Sequence, residues 1–505
     1  RDSDKSRLEL VRDKVAKGRA GLRVPRNPRD VPSLLVYVLM ANELEAKRKW
    51  EGAEAYLVQS AEAAVTMGWL AQATLAYQRA SELARDRGDA TRERSALNGL
   101  YSTTKLRGLD PQIFRALLQL GEFHRRNNEL EPSLKLLAQA REVAVRAELK
   151  PQLAEAWRAT SRAYATVERY PEARDALDKA LLVSQDLGDD EAVISALSDL
   201  GALQASNDDV KGALESYGKA LKLREALDDL PGVIETHRAI AELYETSSDF
   251  PRAQEHWDAA LRRLEATDDL ATKAEYQVKL GNLFHKKGNY PFALQQLESA
   301  RTIYAEDLKE QVMALRVEAR IAVVHMARRD KSAAQEHYDK AVDSLGELGE
   351  DGLLLELHEE MTELCQLSGD GSGAIECSKR AADAAARSGD PEGEARALLN
   401  SGLSELQFGS LDNAEASGKQ ALALFQEHEN HSGHARSLIL LGEIERKRGN
   451  FDAALVRLEA GIELARDLGL AGVVIDGRWS QAETYLTAGK PEQAAETVRD
   501  AVRWL

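Results

Sequence analysis

Few residues in this chain have the types and spacing that chemistry needs. His358-Glu359-Glu360-Met361 opens like the helix of a zinc metalloprotease, where two histidines one turn apart hold the ion beside a glutamate base. Position 362, where the second histidine belongs, is threonine, so the metal pair is absent. His428, His431 and His434 stand three residues apart, a spacing that on one helix face can bind a transition metal. Asn430 and Gly433 are expected to break that helix and leave the histidines in a solvated loop. Gly369-Asp370-Gly371-Ser372-Gly373 has the glycine content of a phosphate loop but reads as a plain turn. Gly218-Lys219, Gly418-Lys419 and Gly489-Lys490 each lack the glycine five residues earlier that a nucleotide-binding loop requires. The two cysteines, Cys365 and Cys377, read as small buried thiols and not as a redox pair. No nucleophile, base or metal constellation survives, so the chain is expected to have no catalytic residues, no metal site and no cofactor.

Composition narrows the class further. Of 505 residues 30% are charged and only 5% aromatic, with 12 prolines, which is the profile of a nearly all-helical water-facing protein. The net charge of −17 argues against general binding to nucleic acid, which needs a basic footprint. The longest apolar run, Leu34 to Ala41, is too short to span a bilayer. Two cysteines make no disulfide framework, and a cytoplasmic location is the expectation. The chain begins with Arg and not Met, so it is expected to be a piece of a longer protein. Residues 1–32 hold two glycines and three prolines between Gly18 and Pro32. Ten Lys/Arg stand there against five Asp/Glu over residues 1–30, a basic lead-in or linker.

What could position binding residues is a repeat. From Gly121 a column of small residues recurs every forty positions through Ser161, Gly201, Ala241 and Gly281. After one extra residue it continues through Ala322, Thr362, Gly402, Gly442 and Ala482. Twelve residues after each comes a second small residue, from Ser133 and Ala173 to Ala494, and seven further a third, from Ala140 to Ala501. Between the last two stands a bulky residue in most units, such as Leu177, Tyr217, Trp257, Leu297, Tyr338 and Leu458. Small residues at fixed intervals mark where two helices cross closely. Polar turns with Gly or Asn separate the helices, and Pro171, Pro251 and Pro291 open the ones that follow. Ten such units fill residues 111–505. Residues 33–110 read as irregular helical repeats, with helices at about 33–47, 52–67 and 69–87. Residues 90–106 resemble a first helix, and the frame slips before Pro111. Ser378 and Gly418 replace the bulky residue in consecutive units, making 360–425 the expected soft region.

Leu200-Gly201, Ala213, Tyr217 and Ala220 resemble the tetratricopeptide repeat, which pairs a Leu-Gly with a later Ala, aromatic and Ala. The forty-residue period resembles its long-helix branch, found in kinesin light chains, LGN-type polarity adaptors and bacterial MalT-like regulators. The resemblance implies an all-α, right-handed superhelix of about twelve helix-turn-helix units, with the first helices lining a concave groove. On those helices the frame points Arg158, Arg162, Arg238, Glu242, Asn282, His285, Lys286, Arg316 and Arg320 toward the groove. Glu356, Glu359, Glu360 and Glu363 follow, and then Leu399, Leu403 and Ile439. Basic, acidic and apolar bands in that order can read a long partner in one register. The resemblance implies a non-catalytic adaptor that binds a protein partner, either an extended segment or a folded switch protein such as a small GTPase. The alternative is a ligand- or peptide-sensing portion of a larger signalling or transcriptional regulator.

Overall fold

The computed structural model describes residues 31–502, so most of the basic lead-in, residues 1–30, lies outside the described residues. Among the described residues every regular element is helical: twenty-four α-helices and one π-helical turn. The helices are 12 to 18 residues long and start about every twenty residues, so each forty-residue period holds one helix-turn-helix. The described residues form two compact units, one running up to His256 and the other starting at Trp257.

In the first unit the expected break in the frame does not occur. Helices Val31–Ala46, Trp50–Thr66, Leu70–Asp86, Ala90–Arg107 and Asp110–Arg126 keep the interval, so Ala90–Arg107 is the second helix of a pair and not the first. Gly108 is simply its left-handed C-cap (φ 68°), and Pro111 occupies the first turn of the next helix, where its missing N–H costs nothing. The columns run on backward as Ala41 and Ser81, then Ala53 and Glu93, and all four are buried. Glu93 hides the frame in the sequence because a charge stands at a small-residue position. Its buried carboxylate is held by Arg126 at 2.6 Å and Arg85 at 3.2 Å.

The columns have a steric cause. A Cβ added to Gly121 would lie 2.8 Å from Leu137, and one at Gly201 would lie 2.8 Å from Tyr217. In the second unit Gly281 meets Leu297 at 2.8 Å and Gly442 meets Leu458 at 2.7 Å in the same way. The bulky residue of the second helix therefore rests on the small residue of the first, which is why the two recur together. The soft region expected at 360–425 is not loose. Where Gly418 leaves the bulky residue out, Leu440 of the following helix takes its place, 2.7 Å from a Cβ built on Gly402 and 3.2 Å from one on Gly418. Ser378 is likewise buried, 1% exposed.

The one extra residue of the repeat has a definite place. Helix Tyr290–Thr302 ends in a π-helical turn, Ile303–Asp307, which accommodates one more residue than an α-helical turn, and the next helix, Gln311–Ala327, restarts the interval.

Candidate functional site

First helices of the second unit build the clearest concave surface. Helices Leu270–Lys286, Gln311–Ala327 and Asp351–Ser368 line a cleft of about 410 Å³ with Glu275, Lys279, Asn282, Arg316, Arg320, Glu356 and Glu360. Tyr304 of the π turn closes one side and Leu345, Leu353 and Leu357 form its apolar part. Beside it a second cleft of about 460 Å³ is lined by Glu356, Glu359, Glu360, Glu363, Arg396 and Asn400.

Charges in these clefts are mostly paired with one another. Residues forty apart occupy equivalent places on successive first helices, so a cation on one helix meets an anion on the next. Arg320 donates to Glu360 at 2.5 Å, Arg316 lies 4.0 Å from Glu356, and Arg396 donates to Glu359 at 2.8 and 3.3 Å. The basic and acidic bands expected from the sequence are thus rungs between repeats. Burial pushes the Glu360 carboxyl up, and neighbouring Glu356 and Glu363 add to the rise against the opposing effect of Arg320. Among the described residues, Lys279 and Glu275 take part in no ion pair and stay exposed in the cleft.

The expected groove residues divide accordingly. Asn282, Arg316, Arg320 and Glu356 meet in the first cleft, and Glu359 and Glu363 lie in the second. His285 is half-buried with its ring 6.0 Å from Tyr290, and burial and the Arg320 charge hold its pKa down. Lys286 is exposed and lines neither cleft. In the first unit Arg158 donates to Asp199 at 2.6 Å and Arg162 to Glu122 at 2.7 Å, again bridging neighbouring first helices. Arg238 is bound on its own helix by Glu235 and by Glu242, the latter at 2.8 Å. The apolar band is a correction. Leu399 and Ile439 are 7% and 8% exposed, Leu399 packed with Phe425 and Leu440 and Ile439 with Leu458 and Ile462, and only Leu403 stays at the surface. Those two leucine and isoleucine side chains serve the core.

Sequence reasoning left Tyr304 and Arg396 out. Tyr304 lies on a second helix, a class expected to be structural, and its one signal was the irregular forty-one-residue step. Arg396 was discoverable, because it stands forty residues after Glu356 in the frame.

The residues with chemistry-like spacing have structural roles. His358 is 3% exposed and its Nδ1 lies 2.7 Å from the Tyr338 hydroxyl, and burial lowers its pKa to about 4. Gly369 is a left-handed cap, and Asp370 caps the helix that begins at Gly371 by accepting from the Gly373 N–H at 3.1 Å. At 428–434 the expected loop is a correction. Asn430 caps helix His431–Lys447 by accepting from the Gly433 N–H at 2.9 Å, so neither residue breaks it. No group of three or more His, Cys, Asp or Glu able to hold a metal ion occurs among the described residues. No helix of the described residues is long and apolar enough to cross a membrane.

Comparison with known proteins bears on this architecture. Among solved structures the chain is similar to BtubC (BKLC) from P. vanneervenii, at 18% identity over 43% of this chain and 91% of that one, TM-score 0.37. It is also similar to yeast Tom70, at 13% identity over 92% of this chain and 96% of that one, TM-score 0.39. A third likeness is to PH0952 from Pyrococcus horikoshii, a signal transduction ATPase with a tetratricopeptide repeat sensor, at 14% identity over 83% of this chain and 65% of that one, TM-score 0.42. No curated protein sequence matches. The family model described as tetratricopeptide repeat matches residues 112–181, 232–306 and 393–467. Those three stretches fall on helix-turn-helix lengths that carry the small-residue columns, and they are tetratricopeptide repeats.

Proposed function

We propose that this protein is a non-catalytic scaffold that holds a protein partner on the first-helix face of residues 257–502. Tetratricopeptide repeats are protein-interaction scaffolds, and the carrying observation is the cleft between Leu270–Lys286 and Asp351–Ser368. It combines an apolar floor with an unpaired Lys279 and Glu275 and the amide of Asn282. A cleft of about 410 Å³ takes a few side chains of an extended segment and favours that occupant over the face of a folded switch protein. Most charges around it are spent on inter-repeat pairs, so orientation of the partner rests on the few that are not.

The test follows from that division. Affinity capture from cells, with wild type beside Lys279→Glu, should lose the partner in the variant while helical content and melting temperature stay unchanged. Arg316→Glu with Arg320→Glu should also lose it, at some cost in stability from the broken pairs. Exchange of the pair, Arg320→Glu with Glu360→Arg, keeps the rung and isolates the effect on recognition. Undiminished capture by Lys279→Glu and by the exchange variant would remove this cleft from the binding surface.

A further inference from the structure

Two thiols meet in the hairpin of Asp351–Ser368 and Gly371–Ser388. Cys365 sits in the last turn of the first helix and Cys377 on the facing helix, one turn beyond Gly373. A Cβ built on Gly373 would lie 2.8 Å from the Cys365 Sγ, so this sulfur points onto the second helix at the turn next to Cys377. Both cysteines are free, 4% and 6% exposed, and share one core with Tyr338, Met361 and Ala374. The Cys377 Sγ lies 3.5 Å from the Tyr338 hydroxyl, which also reaches His358 Nδ1. Hydrogen bonding from the Cys365 thiol, helped by Tyr338 and the Arg380 charge and opposed by burial, lowers the Cys377 thiol to about 7. The same coupling pushes the Cys365 thiol up. A thiol of lowered pKa with a second thiol facing its helix across one hairpin, in one shared core, is the arrangement from which disulfides form.

We propose that Cys365 and Cys377 are a peroxide-oxidisable pair that closes into a disulfide across this hairpin. The Cys377 thiolate attacks one oxygen of a hydroperoxide; an S–O bond forms, the O–O bond breaks, and the leaving oxygen takes the proton given up by the thiol. The Cys365 sulfur then attacks the sulfenic sulfur of Cys377; an S–S bond forms, the S–O bond breaks, and the hydroxide leaves with the Cys365 proton as water. Two electrons pass from the two thiols to the peroxide. The cross-link ties the helix carrying Glu356, Glu359, Glu360 and Glu363 to its partner helix.

The whole chain, reduced and then freed of reductant, is treated with hydrogen peroxide at pH 7, denatured in iodoacetamide, digested and analysed by mass spectrometry. Both cysteines are expected to lose alkylation together as a Cys365–Cys377-linked peptide appears, lighter by two hydrogens. With dimedone present, Cys365→Ser should accumulate an adduct on Cys377, and Cys377→Ser should give none on Cys365. Tyr338→Phe retains both sulfurs and should move the pH midpoint of Cys377 oxidation upward, with the linked peptide recovered at higher pH. Full alkylation of both cysteines after peroxide would overturn the proposal, as would a dimedone adduct on Cys365 in preference to Cys377.

Discussion

Glu318 is the most heavily committed charge in the second unit. The residue is 1% exposed and its carboxylate accepts from Arg301 at 2.8 Å, His337 at 2.9 Å and Lys340 at 2.9 Å, so one side chain ties three successive helices. Burial alone would raise its pKa, but the hydrogen bonds from Lys340, Arg301 and His337 outweigh that and hold it below the usual carboxylate range. A carboxyl depressed in the folded state contributes stability that is full above its unfolded pKa, about 4.3, and is lost as pH falls through the lower folded value. Glu318→Gln should therefore cost about 2 kcal/mol near neutral pH, less than a fully enclosed pair because Lys340 and Arg301 reach solvent. Denaturant titrations of wild type and variant should give a difference that is flat from pH 7 to about pH 5 and shrinks below about pH 4. A difference that grows as pH falls would contradict the assignment. Nothing in the repeat pattern announced this residue, because a buried carboxylate is recognised by its partners and those lie on other helices.

Elements were more legible than the side chains between them. Small-residue columns at Gly121, Gly201, Gly281 and Gly442 placed the helix crossings correctly, because the contact that demands them, a Leu or Tyr pressed on the glycine, lies within one hairpin. Reading failed where the compensating residue came from elsewhere. Glu93 concealed the frame because Arg126, on another helix, neutralises it. Gly418 looked like a void because Leu440, in the next unit, fills it. This yields an outcome opposite to the repeat's own preference. Gly418→Leu restores the bulky residue of the pattern, yet its Cβ would already lie 3.2 Å from Leu440 and from Leu441. The substitution should destabilise by about 1–3 kcal/mol through overpacking. Leu440→Ala should cost about 2–5 kcal/mol, as for other filled core sites. Both are read from urea midpoints at unchanged slope, and a stabilised Gly418→Leu would mean that the region is under-packed after all. The candidate clefts show the same limit. The period set Arg316 and Arg320 on a first helix, and they line the first cleft, while their ion pairs and Tyr304 needed the neighbouring helix and the π turn.

At the scale of the molecule, stability comes from contacts between elements close in sequence, as expected for a repeat array. In the second unit the apolar cores follow one another along the chain: Ala322 to Cys377, then Leu315 to Ala397, then Ala395 to Ile444, then Ala435 to Val474. Each core shares helices with the next and none is common to all. A perturbation should then weaken its own hairpin and fade with distance along the sequence, in contrast to a single-core domain, where it would lower every site equally. Glu318→Gln provides the test, since its partners lie between residues 301 and 340. Hydrogen exchange followed by mass spectrometry should show faster exchange in Tyr290–Thr302, Gln311–Ala327 and Lys331–Leu348. Phe451–Asp467 and Ala471–Thr487 should exchange as in wild type, because the core formed by Ile439, Leu458 and Val474 contains none of the affected residues. Equal acceleration across all five helices would show that residues 257–502 unfold as one cooperative body, and the nearest-neighbour account of this chain's stability would fail.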